Sequence, residues 1–159
     1  MRQLILLRHA HAESAGAGED DAGRPLSATG REEAQAAGAW LREHGAHPDR
    51  VLCSPSTRTR ETWDWVDAEL NSGLAVQFEP SIYDATPGAL MALADANRDA
   101  ARLVLVGHNP GLEQLLALMH SGQSGDYRGM PPGGVAVLTM PAGAALEPGV
   151  AQLGAFWWP

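Results

Sequence analysis

Apolar residues in this chain come in short runs, and most of the runs end on polar or turn-forming residues. Leu4-Ile5-Leu6-Leu7, Val51-Leu52-Cys53 and Leu103-Val104-Leu105-Val106 are uninterrupted. Such runs, too short for helices and without alternation, predict strands buried on both faces, as in a parallel sheet. Leu74 to Phe78 predicts a further strand. Val135-Ala136-Val137-Leu138 and Val150 to Phe156 predict a final hairpin that closes one side of the sheet. Between the runs the spacing turns helical. Thr29-Gly30-Arg31-Glu32 has the form of a capping box, with Thr29 as cap and Glu32 reaching back to it. It opens a helix with Ala34, Ala37 and Leu41 on one face that stops near His44-Gly45. Ser56 or Thr57 caps a second helix, which runs through about Leu70 to Asn71-Ser72-Gly73. Trp63 and Val66 are expected to face the core there, and Trp65 to point elsewhere. Thr86-Pro87 starts a third helix, to about Asn97, and Pro110 a fourth that carries Leu112, Leu115, Leu116 and Met119. Strands alternating with helices predict an α/β fold of three layers, a mostly parallel central sheet with helices on both faces. Two stretches have no period. Ala12 to Pro25, small, acidic and glycine-rich, predicts a mobile loop or lid, and Ser121 to Gly134 predicts a loop. There is no internal repeat, so residues 1–159 read as one domain.

Composition narrows the class. The hydrophobic share is 45% and the charged share 19%, as in a globular protein. No apolar run approaches the roughly 20 residues of a membrane helix. No signal-peptide pattern appears, because Arg2 is followed by only four aliphatics before Arg8. Cys53, the one cysteine, has no internal partner for a disulfide, which leads us to expect a cytoplasmic protein. A formal charge of −8 weighs against nucleic acid or membrane as partner. An anionic substrate would then need a local island of positive charge.

The candidate chemistry lies where three predicted strands end. Arg8-His9-Ala10-His11 follows the first, Ser54-Pro55-Ser56-Thr57-Arg58 the second and Gly107-His108-Asn109-Pro110 the fourth. One Arg-His pair could simply be a strand meeting solvent, but three such endings are a pattern. Open α/β sheets bind ligands beyond the carboxyl ends of their strands, so Arg8, His9, Arg58 and His108 can converge on one rim. Arginine forks match phosphate oxygens. A held histidine can act as a nucleophile through a phosphoramidate, and phosphoryl transfer asks mainly for positioning and positive charge. Two arginines and a second histidine supply these without a metal, and helix amides near Thr57 and Pro110 could add donors. The rival use of His9, His11 and His108 is metal binding. Two guanidiniums would repel a dication there, and no carboxylate adjoins the histidines to orient them. His44, His47 and His120 read as surface residues. Ala15 to Gly23 is acidic and lacks a Walker pattern, so it is no phosphate cradle.

These three motifs, in this order, resemble the histidine phosphatase superfamily, the phosphoglycerate mutase-like or RHG family. The small size, the Arg24-Pro25-Leu26-Ser27-Ala28-Thr29-Gly30 segment and the lack of a large helical insertion are similar to its SixA-type branch of phosphohistidine phosphatases. The resemblance spans the chain and implies a single histidine phosphatase domain, residues 1–159, with a phosphoglycerate mutase-like fold. It implies His9 as the phosphorylated nucleophile, Arg8 and Arg58 as the phosphoryl clamp, and His108 as a donor to the same group. Two departures stand out. Ala10 replaces the glycine of the family name, which requires a negative φ there. The general acid of larger members is a Glu or Asp beyond the third strand, for which Asp84 in Ile82-Tyr83-Asp84-Ala85 is the nearest match; it also reads as a turn residue before a helix. The implied activity is that of a metal-independent phosphatase, a phosphohistidine phosphatase or histidine acid phosphatase-like hydrolase. Its substrate would be a phosphorylated protein or a small phosphate ester, and no cofactor is implied. The alternative is a catalytically weak module that binds a phospho-ligand on the same fold; a mutase is disfavoured because the short chain leaves little room for insertions that would enclose a sugar phosphate. A monomer is expected. Specificity would lie in the loops Ala12 to Pro25 and Ser121 to Pro132.

Overall fold

In the computed structural model, which describes residues 1–126 and 129–159, six strands form one sheet. In chain order they are β1 (Gln3–Arg8), β2 (Arg50–Cys53), β3 (Val76–Phe78), β4 (Arg102–Gly107), β5 (Val135–Thr139) and β6 (Gln152–Trp157). The helices are α1 (Ala28–Glu43), α2 (Thr57–Leu70), α3 (Pro87–Ala96) and α4 (Gly111–Ser121), with short 3-10 turns at Asp21–Gly23 and Pro80–Ile82. Across the sheet the order is β3-β2-β4-β1-β5-β6. The pairs β1–β4, β2–β4 and β2–β3 are parallel, and β5 and β6 form the expected antiparallel hairpin beside β1.

Successive strand residues point to opposite faces, so each aliphatic run feeds two cores at once. Leu4, Leu6, Leu103 and Leu105 pack with Leu90 of α3 and Leu112, Leu115 and Met119 of α4. Ile5, Leu7, Val104 and Val106 pack on the other face with Ala34, Ala37 and Leu41 of α1 and Trp63 and Val66 of α2. Each such leucine contributes roughly 1.5–3 kcal/mol by leaving water. On the second face α1 and α2 approach so closely that a Cβ at Gly38 would stand 2.5 Å from the Val66 carbonyl oxygen. Trp65 is exposed, as its position on α2 predicts. Among the described residues, no helix is long and apolar enough to cross a membrane.

Two expectations change. The cap of α1 is Ser27, whose Oγ accepts from the Gly30 N–H at 3.0 Å; Thr29 lies inside the helix. Packing decides between the two hydroxyls. A Cβ at Gly30 would stand 2.0 Å from the His11 carbonyl oxygen, so the helix must start where Gly30 meets that backbone. The carboxylate that reaches back belongs to Glu33, not Glu32, and it accepts from the His11 N–H at 2.8 Å. The segment from Ala12 to Pro25, expected as a mobile loop or lid, is anchored at its two ends. Glu13 N–H donates to the Pro25 carbonyl at 2.8 Å, Ala12 bridges Leu26, and Asp21 is bonded to Arg58. Ser121, expected in the following loop, ends α4; the described residues from Gly122 to Gly134 are irregular as expected, and Tyr127 and Arg128 lie outside the described residues.

Candidate active site

The sheet register brings the three motifs to one rim. Arg8 pairs with Gly107 and Cys53 with Val106, so β1, β2 and β4 end level. The ladder runs one residue further, with His9 N–H donating to the Gly107 carbonyl and Ser54 N–H to that of Val106, each at 3.0 Å. His9 and His108 leave the sheet side by side, their ring centroids 5.3 Å apart.

Local bonds fix each group. His9 Nδ1 lies 2.8 Å from the Ala10 carbonyl oxygen. A carbonyl only accepts, so Nδ1 carries the hydrogen and Nε2 holds the lone pair. Ala10 N–H donates to Thr62 Oγ1, which donates to the Arg58 carbonyl, so α2 holds the backbone beside His9. Ala10 is fully buried, and only Asn71 and Asp84 among the described non-glycine residues have positive φ, so its methyl is accommodated. His108 Nε2 lies 2.8 Å from Ser54 Oγ, and the Tyr83 ring meets the imidazole edge-on at 5.2 Å.

Both arginines are gripped at their tips. Arg8 Nη1 donates to the Met130 carbonyl at 2.8 Å, an acceptor shared with Asn109 Nδ2. Arg58, 6% exposed, donates from Nη1 to the Asp21 carbonyl at 2.8 Å and from Nη2 to Asp21 Oδ2 at 2.9 Å. Four buried side-chain polar atoms among the described residues have no partner within the protein: Arg8 Nε, Arg58 Nε, His108 Nδ1 and Asn109 Oδ1. All belong to this rim. Each such atom costs about 1–3 kcal/mol when left unsatisfied, so their clustering marks a place built to meet another group.

Burial and positive neighbours hold the imidazoles neutral. His9 is lowered to about 4, first by burial and then by Arg58, Arg8 and Arg24, against the Ala10 carbonyl. His108 is lowered to about 3, by burial and then by His9 and Arg58. Asp21 is held well below the carboxylate range by the Tyr83 hydroxyl and by Arg24 and Arg58. The site is thus a pair of neutral imidazoles inside a cationic collar.

The other candidates fall outside that collar. His11 Nδ1 bonds Ser27 Oγ at 2.6 Å, turned to the start of α1. Among the described residues no three His, Cys, Asp or Glu side chains are arranged to hold a metal. His44, His47 and His120 are exposed. Asp84 is exposed at φ 56° and lines, with His108, Asn109 and Pro110, a cavity of about 260 Å³. It is a neighbour of the collar and not a member of it.

The family model of the histidine phosphatase superfamily (branch 1) matches residues 4–102. The chain belongs to this superfamily. An uncharacterized protein of Mycobacterium tuberculosis is 35% identical over 94% of this chain and 98% of its own length. The phosphohistidine phosphatase SixA of Escherichia coli is 27% identical over 77% of this chain and 76% of its own. Among solved structures, a protein of Agrobacterium tumefaciens provisionally assigned as the phosphohistidine phosphatase SixA superposes with a TM-score of 0.85 at 29% identity, covering 99% of this chain and 98% of that one.

As a histidine phosphatase superfamily member the chain has the α/β fold of the SixA group, and the matched segment contains Arg8, His9, Arg58 and Asp84. His108 lies beyond it and reaches the collar through β4. Three contributors were not legible in the motifs: Asp21, Tyr83 and the Met130 carbonyl. Asp21 is one of four acidic residues in its loop, and only its spacing of three from Arg24 hinted at an ordered turn.

Proposed function

We propose that this superfamily member is a metal-independent phosphatase that passes a phosphoryl group through His9, with protein phosphohistidine preferred to small phosphate esters. One observation carries the reading. His9 Nε2 offers its lone pair on the same rim as the buried, unpartnered Nε–H groups of Arg8 and Arg58 and the unpartnered Nδ1 of His108. In the first step Nε2 attacks phosphorus, and the N–P bond forms as the bond to the leaving group breaks. Arg8 and Arg58 bind the equatorial oxygens through their Nε edges, and His108 donates to the same group. Donors aimed at developing charge are worth about 3–4 kcal/mol each when removed singly, so this collar can supply the positive field usually taken from a cation. An imidazole leaving group departs with its own proton, whereas an alkoxide needs one, for which Asp84 at the rim is the nearest candidate. Water then attacks phosphorus, the N–P bond breaks, and the water's hydrogens leave in the phosphate. The unpaired, buried Cys53 fits a cytoplasmic setting.

Rapid quench with a labelled phosphohistidine peptide tests the reading. The protein should carry label that survives base and is lost in acid, and His9→Ala should carry none. Vanadate should inhibit and EDTA should leave the rate unchanged. Label retained by His9→Ala, or a chelator-sensitive rate restored by zinc, refutes it. Vanadate binding without turnover assigns a binding module instead.

A further inference from the structure

We propose that Asp21 is a positioning residue: it grips the tip of Arg58 and thereby turns the Nε edge of the guanidinium toward the phosphoryl group. The inference rests on the function proposed above and adds a residue to it. A guanidinium has five N–H bonds in a rigid plane. Asp21 takes one from Nη1 through its carbonyl and one from Nη2 through Oδ2, an end-on grip on both terminal nitrogens. What remains on one side is Nε–H with the second Nη2 hydrogen, two parallel donors that match two oxygens of an oxyanion. Arg58 Nε is buried and unpartnered in the protein, so this is the edge left for a ligand.

Asp21 is itself anchored. Its carboxylate accepts from the Tyr83 hydroxyl and from Arg24 Nη1 at 3.0 Å, and Arg24 Nε is fixed on the Glu13 carbonyl at 2.7 Å. The Tyr83 ring lies 5.8 Å from the Arg58 guanidinium carbon and meets His108 edge-on. One frame thus orients both Arg58 and His108, and the loop from Ala12 to Pro25 has a reason to be tied down. The opposite role would make Asp21 an internal competitor, a carboxylate occupying the phosphate fork until substrate displaces it. The geometry favours the grip, because the terminal nitrogens are taken and the Nε edge is not.

The two roles predict opposite signs. Removing a carboxylate beside an anion site relieves repulsion, so loss of a competitor tightens oxyanion binding, whereas loss of a grip weakens it. Vanadate binding by calorimetry should be weaker in Asp21→Ala, on the order of 10- to 100-fold, as for misplaced reactive groups. Asp21→Asn, which keeps an oxygen acceptor for Arg58, should fall between it and the parent protein and stands in should the alanine variant fail to fold. In kcat/KM for a phosphohistidine peptide, Asp21→Ala should cost a similar factor alone and little in an Arg58→Ala background. Unchanged or tighter vanadate binding in both variants overturns the inference. So does an equal loss with and without Arg58, which would make Asp21 a tether of its loop only. A parent protein that neither binds vanadate nor turns over removes the phosphatase reading and this inference together; losses confined to the expected pattern leave both standing.

Discussion

The two lowered imidazoles make stability depend on pH in a way that can be measured on one side chain. His9 titrates near 4 in the folded protein and near 6.5 when unfolded. Between those values the unfolded chain holds the proton and the folded chain does not, so unfolding takes up a proton and is favoured by acid. Stability from this group is fully present above about pH 6.5 and falls as the pH drops, by about 1.4 kcal/mol per unit, until it levels near pH 4. His9 alone therefore withdraws about 3 kcal/mol across the window, a large part of the 5–15 kcal/mol typical of a domain. His108 acts with the same sign and continues to about 3. The perturbation is His9→Gln, which removes one titrating group and keeps much of the volume. Urea unfolding, monitored by tryptophan fluorescence from neutral pH down to about 4.5, gives the free energy at each pH. Carboxylates titrate in both proteins and largely cancel in the difference, so the parent curve should fall more steeply by about 1.4 kcal/mol per unit. Parallel curves for parent and variant, or a parent more stable in acid, would refute the electrostatic account of the site.

Asp84→Asn should slow hydrolysis of alkyl phosphates by about 10²- to 10⁴-fold and leave phosphohistidine hydrolysis nearly unchanged, since asparagine also adopts the left-handed backbone of this position. Equal losses on both substrates would give Asp84 a structural role, and no loss on either would leave it a turn residue. Gly30→Ala places a methyl against the His11 carbonyl and should destabilise the protein by roughly 1–3 kcal/mol or more, read as a lowered melting temperature; an unchanged melt would remove the packing reason for the Ser27 cap.

Much of this was readable in the chain because its physics is local. Four aliphatics in a row admit few structures other than a strand buried on both faces, and a parallel sheet gathers the residues just after each such strand on one rim. That reasoning alone grouped Arg8, His9, Arg58 and His108. The choice of Ser27 over Thr29 was not local, since both are good caps two residues apart and the backbone of His11 decides between them. Asp21 was hidden for a similar reason. Nothing in an acidic loop says which carboxylate will meet an arginine 37 positions later, and Tyr83, its other partner, comes from beyond the third strand.

The sheet order also separates the unit of sequence similarity from the unit of folding. The superfamily match ends at residue 102, where β4 has just begun. That segment carries Arg8, His9 and Arg58, yet both neighbours of β1 in the sheet, β4 and β5, lie almost wholly after it. A fragment cut to the matched region would hold most of the signature with its first strand unpaired on both sides. On a ribosome the same order applies: β1 is made first and must wait, its aliphatic run uncovered, until residues as late as Thr139 have emerged. The part of the chain that identifies the protein is finished well before the part that lets it fold.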